Sequence, residues 1–206
     1  DDLMVTRRDK DLLLVVNGAC KQADIRHLQT NIGHRCTVQP LPERALLALQ
    51  GPAAGTVMAR LAPETAKMVF MNTATVTLVG AECYISRSGY TGEDGFEISV
   101  PADKAEALAK ELLSHPEVAP IGLGARDSLR LEAGLCLYGN DFDATTTPPE
   151  AALNWAIQKV RRTGGARAGG FPGADKVLAQ IDDPASLARK RVGLIAKERV
   201  PVREPA

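Results

Sequence analysis

The chain has 206 residues, of which 45% are hydrophobic and 24% charged, and its formal net charge is zero. This composition is typical of a folded globular protein and unlike that of a disordered chain, and the length allows one large domain or two small ones. A neutral charge disfavours a nucleic-acid footprint or a polybasic membrane surface, and no apolar run approaches the roughly 20 residues that span a bilayer. We therefore expect neither a nucleic-acid partner nor a membrane association.

The first half of the chain predicts short strands separated by turns and helices. Strands are expected within residues 1–6, 11–16, 36–39 and 45–50, a helix at 23–30, and a hairpin of 74–79 and 82–85 around Gly80-Ala81. The apolar run at 11–16 is expected to be buried. Pro52 suits the first turn of a further helix that carries Val57, Met58 and Leu61.

The second half contains two informative tracts and then becomes rich in glycine and arginine. A glycine-rich loop and strand occupy 88–101, helices are predicted at 101–114, 122–133 and 174–181, a surface loop at 161–173 and a strand at 191–195. Strands with hairpin-like neighbours, followed by helices, indicate the α+β class and not a regular βαβ array. Because residue 1 is not Met and no closing element follows 191–195, we interpret the chain as the central piece of a longer protein.

The cysteines and histidines show no metal-ligand spacing. The four cysteines stand at 20, 36, 83 and 136 without a Cys-x-x-Cys pair, and the three histidines stand at 27, 34 and 115 without a His-x-x-x-His pair. We therefore predict free thiols and no metal site. A dinucleotide site of the Rossmann type is rejected, because the tract that begins at Gly122 lacks the third glycine of that motif.

The tract from Ser88 to Pro101 combines a flexible loop with an alternating strand. Glycines at 89, 92 and 95 allow the backbone to bend sharply and to approach a ligand closely. In the strand that follows, the side chains of 96, 98 and 100 share one face, which places Glu97 on the opposite face. A carboxylate on a rigid strand beside such a loop suits a flat ligand edge with two adjacent N–H donors.

The predicted helix at 122–133 carries Arg126 near its N-terminus. The helix dipole disfavours a cation there by roughly 0.3–1 kcal/mol. Arg126 is therefore expected to have a partner, either the electronegative edge of a ligand or a neighbouring carboxylate such as Asp127 or Glu132. The apolar residues expected to pack inward are Leu123, Leu129 and Ala133 of this helix and, in part, Trp155 further along.

Two long tracts resemble the aminomethyltransferase family, the T-proteins of the glycine cleavage system. They are 89–101, Gly-Tyr-Thr-Gly-Glu-Asp-Gly-Phe-Glu-Ile-Ser-Val-Pro, and 125–141, Ala-Arg-Asp-Ser-Leu-Arg-Leu-Glu-Ala-Gly-Leu-Cys-Leu-Tyr-Gly-Asn-Asp. Shorter matches follow the family's order over nearly the whole chain: Asp1-Asp2-Leu3, 14–17, 48–52, Thr147-Pro148 and 191–194. The long tracts are specific, whereas the short ones add support only together.

The resemblance implies the folate-binding aminomethyltransferase fold, which has two α+β subdomains followed by a C-terminal β-barrel. On that basis 1–190 is assigned to the folate-binding region, without the family's opening segment, and 191–206 to the start of a barrel that is largely absent. The resemblance also implies the reaction. The methylene of an aminomethyl group passes from the dihydrolipoyl arm of H-protein to tetrahydrofolate, the co-substrate, and ammonia is released without the help of a metal.

Matched to the family's motifs residue by residue, this sequence retains the implied site. Glu97 corresponds to the pterin-binding glutamate, whose two oxygens accept from the ring N–H and the exocyclic amine. Arg126 corresponds to the folate-binding arginine, and Tyr90 to a tyrosine that packs on the pterin. Asp1 corresponds to the active-site aspartate, the first acidic residue of the Asp-Asp-Leu motif, and Arg130 is a further candidate for the pocket wall.

The same resemblance bears on location and on rival functions. The version Leu-Cys-Leu-Tyr-Gly-Asn-Asp at 135–141 suggests a eukaryotic member of the mitochondrial matrix, with the bacterial cytoplasm as the alternative. Two other functions stay open at this point, namely the folate domain of a sarcosine or dimethylglycine dehydrogenase-like protein and a non-catalytic folate-binding protein. An upstream flavin domain would mark the first, and turnover with a lipoylated carrier would exclude the second.

Overall fold

The computed structural model describes residues 2–195 and 197, and the chain divides into two compact units, Asp1–Leu135 and Cys136–Ala206. Helices and antiparallel strands occur together in the first unit, which confirms the predicted α+β class. The domain boundary predicted after residue 190 stays a prediction. No helix of the described residues combines the length and apolar character needed to cross a membrane.

Two sheets form in the first unit. Strands β1 (Met4–Arg7) and β2 (Leu12–Val15) make an antiparallel ribbon, and β3 (Arg44–Gln50), β4 (Thr73–Leu78), β5 (Ala81–Ser86) and β6 (Gly95–Pro101) make an antiparallel sheet in the order β3-β6-β5-β4. The predicted hairpin is confirmed as β4–β5. Its turn residues, Val79 and Gly80, have φ values of 46° and 74°, and two consecutive positive φ values match the twist of paired strands.

Strand β6 separates the core from the open face of the sheet. Phe96, Ile98 and Val100 have no exposed surface, and they pack in the core with buried residues of the helices. The intervening positions, including Glu97 and Ser99, are partly exposed. The period of two in the sequence therefore predicted the correct faces of this strand.

Four α-helices lie in residues 2–135 of the first unit: α1 (Lys21–Ile32), α2 (Ala54–Leu61), α3 (Ala105–Leu113) and α4 (Leu123–Glu132). Val57 and Met58 of α2 and Leu108 of α3 are fully buried against the sheet. The prediction that α3 starts at residue 101 was wrong, because β6 extends through Pro101 and a 3-10 turn, Ala102–Lys104, precedes the helix.

The strands predicted at 36–39 and 191–195 do not form. A strand is stabilised by hydrogen bonds to a neighbouring strand, and the described residues provide none at either place. The run at 11–16 does form β2, but it is not buried, since Leu12 is 61% exposed. A two-stranded ribbon has little core of its own, which explains the error.

Helix α4 is oriented differently from the expectation. Leu123 and Leu129 are 71% and 39% exposed, Ala133 is also exposed, and the buried residue of this helix is Arg130. Trp155 is likewise 74% exposed instead of partly buried. An apolar stripe shows that a helix has an apolar and a polar face, but it does not show whether another element packs on the apolar face.

The described part of the second unit is held mainly by turns and by side chains that bind the backbone. Its α-helix, α5 (Ala174–Asp182), confirms the prediction at 174–181. Arg161 donates to the carbonyl of Gly169 (3.1 Å), and Arg162 donates to the carbonyls of Ile157 and Asn154 (2.9 and 2.6 Å). These two arginines of the predicted surface loop therefore stabilise the local backbone through side-chain hydrogen bonds.

All four cysteines are free thiols, as predicted, and Cys83 and Cys136 are buried. Burial raises the pKa of the Cys83 thiol, which favours its neutral form. Within the described residues, no group of three or more His, Cys, Asp or Glu is arranged to hold a metal ion.

Candidate functional site

Glu97 projects from the middle of β6 onto the open face of the sheet. The register places it between Ala48 of β3 and Ser86 of β5. Its Oε2 accepts a hydrogen bond of 2.7 Å from the hydroxyl of Ser88, whose oxygen is 2.8 Å from that of Ser86. The structure describes no hydrogen bond to Glu97 Oε1 from residues 2–195. One carboxylate oxygen is thus fixed, and the other is open to a ligand.

The glycine loop, residues 87–94, connects β5 to β6 and approaches helix α4. Gly92 has a φ of +80°, and a Cβ at this position would lie only 2.5 Å from the Cβ of Ala133, the residue that follows α4. Both the conformation and the contact require glycine at 92. The loop and the end of α4 therefore pack directly against each other.

Tyr90 of the glycine loop and Arg126 of α4 are in contact. The guanidinium carbon of Arg126 lies 5.6 Å from the centroid of the Tyr90 ring, within the range of a cation–π interaction. Arg126 also lies 3.4 Å from the carboxylate of Asp127. Its Nε atom is buried and has no hydrogen-bond partner among the described residues. The Arg126 side chain as a whole is 42% exposed, so the rest of its guanidinium can meet a ligand acceptor.

Arg130 has a different environment from Arg126, although both lie on one side of α4. It is 7% exposed and donates through Nη1 to the carbonyl of Leu135 at 3.3 Å. The amide of Leu135 in turn donates to the carbonyl of Arg130 at 2.8 Å. Arg130 therefore stabilises the turn that follows the C-terminus of α4.

The structure brings the sequence-predicted residues together through the glycine loop. Ser88 holds Glu97, and Tyr90, two positions later in the loop, contacts Arg126. Glu97 and Arg126 are thus both linked to one short segment of a single unit. Asp1 lies outside the described residues.

Two functional neighbours were missed by sequence reasoning. Ser88 was treated only as the start of the tract at 88–101, and Gln50 only as the end of the strand at 45–50 and as part of the short match at 48–52. Ser88 opens the predicted loop and lies nine positions before Glu97, which offered a weak signal. Nothing in a single sequence pairs Gln50 with residues some 40 positions away.

A cavity of about 570 Å³ lies apart from Glu97 and Arg126, beside helix α2. Its charged lining residues are Arg60, Arg87 and Asp94. Arg87 binds both carboxylate oxygens of Asp94, at 2.9 and 2.7 Å, and Arg60 likewise binds Glu117, at 3.0 and 2.6 Å. Because these charges already have protein partners, the cavity is a less suitable ligand site than the surroundings of Glu97.

The ion pair of Arg60 and Glu117 stabilises the folded protein, and acid should remove this stabilisation only at low pH. Hydrogen bonds from Arg60 lower the pKa of Glu117 from 4.5 to about 2. A lowered folded-state pKa means that the pair stabilises the protein fully above pH 4.5 and loses this effect as the pH falls towards about 2. In thermal unfolding we expect the difference between wild type and Glu117→Gln to shrink over this window. The same difference at every pH would contradict the prediction, and Glu64→Gln, a change at an exposed residue, is the control.

Comparison with known proteins gives a consistent result. The family profile described as "GCVT N-terminal domain" matches residues 1–161. "Aminomethyltransferase, mitochondrial" of Flaveria anomala is 47% identical over 206 residues, covering 95% of this chain and 49% of the relative. "Probable aminomethyltransferase, mitochondrial" of Schizosaccharomyces pombe is 43% identical over 208 residues, covering 98% and 52%.

A solved structure agrees with these relatives. The crystal structure of the glycine cleavage system aminomethyltransferase T from Bartonella henselae matches with a TM-score of 0.78 and 46% identity, over 88% of this chain and 49% of that one. The chain therefore spans about half the length of the proteins that it matches.

Proposed function

The chain belongs to the GCVT N-terminal domain family, and on this premise we propose that it acts as an aminomethyltransferase of the glycine cleavage system. The substrates would be tetrahydrofolate and the aminomethyl group on the dihydrolipoyl arm of H-protein. The observation that carries the proposal is the open carboxylate of Glu97, held by Ser88 beside the contact of Tyr90 with Arg126.

Glu97 would recognise the pterin ring. A pterin presents a ring N–H and an exocyclic amine side by side, and a carboxylate accepts from two such donors in a charge-assisted, bidentate contact. The hydroxyl of Ser88 occupies one direction at Oε2 and leaves Oε1 available. Because β6 is fixed by pairing with β3 and β5, the carboxylate is held in place before the ligand binds.

Tyr90 and Arg126 would form the side of the same site. The guanidinium of Arg126, whose side chain is 42% exposed, offers N–H donors to an electronegative atom of the folate. The aromatic ring of Tyr90 offers an apolar face on which a flat heterocycle can pack. The existing contact between these two side chains fixes their orientation in the absence of a ligand.

Asp1 would assist the chemical step. Breaking the carbon–nitrogen bond of the S-aminomethyl group releases ammonia and leaves an electron-poor methylene on sulfur. N5 of tetrahydrofolate attacks this carbon and loses its proton. The carbon–sulfur bond then breaks, the departing thiolate takes up a proton, and N10 closes the ring with loss of its own proton. The Asp1 carboxylate would stabilise the positive charge, orient N5 or accept a proton, and preorganised groups with such roles typically contribute about 3–4 kcal/mol.

Replacing Asp1 by Asn should lower kcat about 100-fold or more with little change in the Kd of tetrahydrofolate, because the charge is lost and the shape is kept. Rates of methylenetetrahydrofolate formation and calorimetric Kd values separate the two effects. Asp2→Asn is the matched control. Retained turnover in Asp1→Asn would count against its catalytic role.

The direct test is an assay with lipoylated, aminomethyl-loaded H-protein and tetrahydrofolate, in which ammonia and 5,10-methylenetetrahydrofolate are measured together. Folate binding without turnover would favour a non-catalytic folate-binding protein, and turnover of sarcosine or dimethylglycine would favour the dehydrogenase-like alternative. The names of the relatives further support a mitochondrial location, as part of this proposal.

A further inference from the structure

The side-chain amide of Gln50 lies between the two arms of the glycine loop. Gln50 is the last residue of β3 and pairs with Gly95 at the start of β6. Its Nε2 donates to the carbonyls of Ser88 and Phe96, at 3.1 and 3.4 Å, and its Oε1 accepts from the hydroxyl of Thr91 at 3.3 Å. One side chain therefore joins the beginning of the loop, its tip and the strand that follows it.

The glycines at 89 and 95 leave the space that this amide occupies. A Cβ on Gly89 would lie 1.7 Å from Gln50 Oε1, and a Cβ on Gly95 would lie 2.4 Å from Gln50 Cδ. Neither glycine has a positive φ, so the backbone conformation alone would accept alanine at both positions. A Cβ at either position would therefore displace the amide of Gln50 from its hydrogen bonds.

We infer that Gln50 is a positioning residue for Glu97 and Tyr90. Ser88, whose carbonyl accepts from Gln50, is the residue whose hydroxyl binds Glu97 at 2.7 Å. Tyr90 lies in the loop between Gly89 and Thr91. The Gln50 amide occupies the space beside the Cα of Gly89 and accepts a hydrogen bond from Thr91. Gln50 therefore acts on Glu97 and Tyr90 through the loop. The effect on folate binding rests on the proposed function, whereas the effect on Glu97 does not.

Gln50→Glu tests this role, because it keeps the shape but replaces the amide donor with a carboxylate oxygen that faces two carbonyl oxygens. We expect the Kd of tetrahydrofolate to rise about tenfold, as for the loss of one or two hydrogen bonds, and the ¹³C resonance of the Glu97 carboxyl to shift. Gln29→Glu is the matched control, because this exposed residue of α1 undergoes the same change of charge. A Glu97 resonance in Gln50→Glu that coincides with the wild-type one would overturn the inference.

A second pair of variants tests the shared space. Gly89→Ala alone should shift the Glu97 resonance and weaken binding about tenfold, whereas the same substitution in a Gln50→Ala background should weaken binding by less than about twofold further, because the amide that it displaces is already absent. Equal damage from Gly89→Ala with and without Gln50 would overturn the inference. If wild type binds no tetrahydrofolate while the variants still shift the Glu97 resonance, the proposed function fails and the positioning role stands.

Discussion

Glu97→Gln should raise the Kd of tetrahydrofolate about 100-fold, while thermal unfolding stays close to that of wild type. Hydrogen bonds to a charged group contribute about 1.5–3 kcal/mol each, and a neutral amide accepts from only one of the two pterin donors. The amide oxygen of the variant can still accept from the hydroxyl of Ser88, so the hydrogen bond between the loop and β6 is kept. Isothermal titration calorimetry and a thermal scan give the two quantities.

Glu82→Gln is the matched control for this prediction. Glu82 belongs to β5 and is exposed on the same face of the sheet, so its substitution removes an equal charge from the same surface. We expect its Kd to remain within about twofold of wild type, since a distant exposed charge is screened by salt. The prediction is contradicted if Glu97→Gln binds folate with wild-type affinity or if both variants lose affinity equally. Either result would show that Glu97 does not bind the pterin directly.

Phe96→Ala should lower the free energy of unfolding by about 3–5 kcal/mol, the cost of removing a large buried ring and leaving a cavity. Phe96 has no exposed surface, and its ring also lies 5.4 Å from the guanidinium carbon of Arg87. Its neighbour Glu97 lies on the opposite face of the same strand. Adjacent residues should therefore affect different properties, stability at 96 and binding at 97.

Phe70→Ala makes the same substitution at a site that is 75% exposed, and it is the control for Phe96→Ala. Exposed substitutions usually change stability by less than about 0.5 kcal/mol, because little burial is lost. Urea unfolding followed by circular dichroism compares the two variants. Similar losses at 70 and 96 would contradict the assignment of Phe96 to the core.

Sequence patterns predicted the local elements well where a single period governs the structure. Strand β6 alternates as expected, and helices α1, α4 and α5 lie at the predicted places within a few residues. The errors fall where a local pattern needs a distant partner. The run at 36–39 has strand-forming residues but finds no neighbouring strand among residues 2–195, and the leucines of α4 are exposed although their spacing indicated an inner face.

The candidate site shows the same division. The types of residue at 90, 97 and 126, and the glycines around them, are readable from the chain and carry the resemblance to the family. The contacts of these residues cannot be predicted from the sequence, because they join separate elements. Such contacts are the hydrogen bond from Ser88 to Glu97, the contact of Tyr90 with Arg126 and the amide of Gln50 inside the loop.

The sequence by itself determined the chemical groups available to this protein, the two faces of its central strand and its membership in a family. Only the tertiary structure decided which side of α4 is buried and which residues hold Glu97. The physical reason is range: backbone geometry repeats every two or 3.6 residues and acts locally. Contacts between strand, loop and helix depend on how separate elements pack, and that packing is a property of the whole unit.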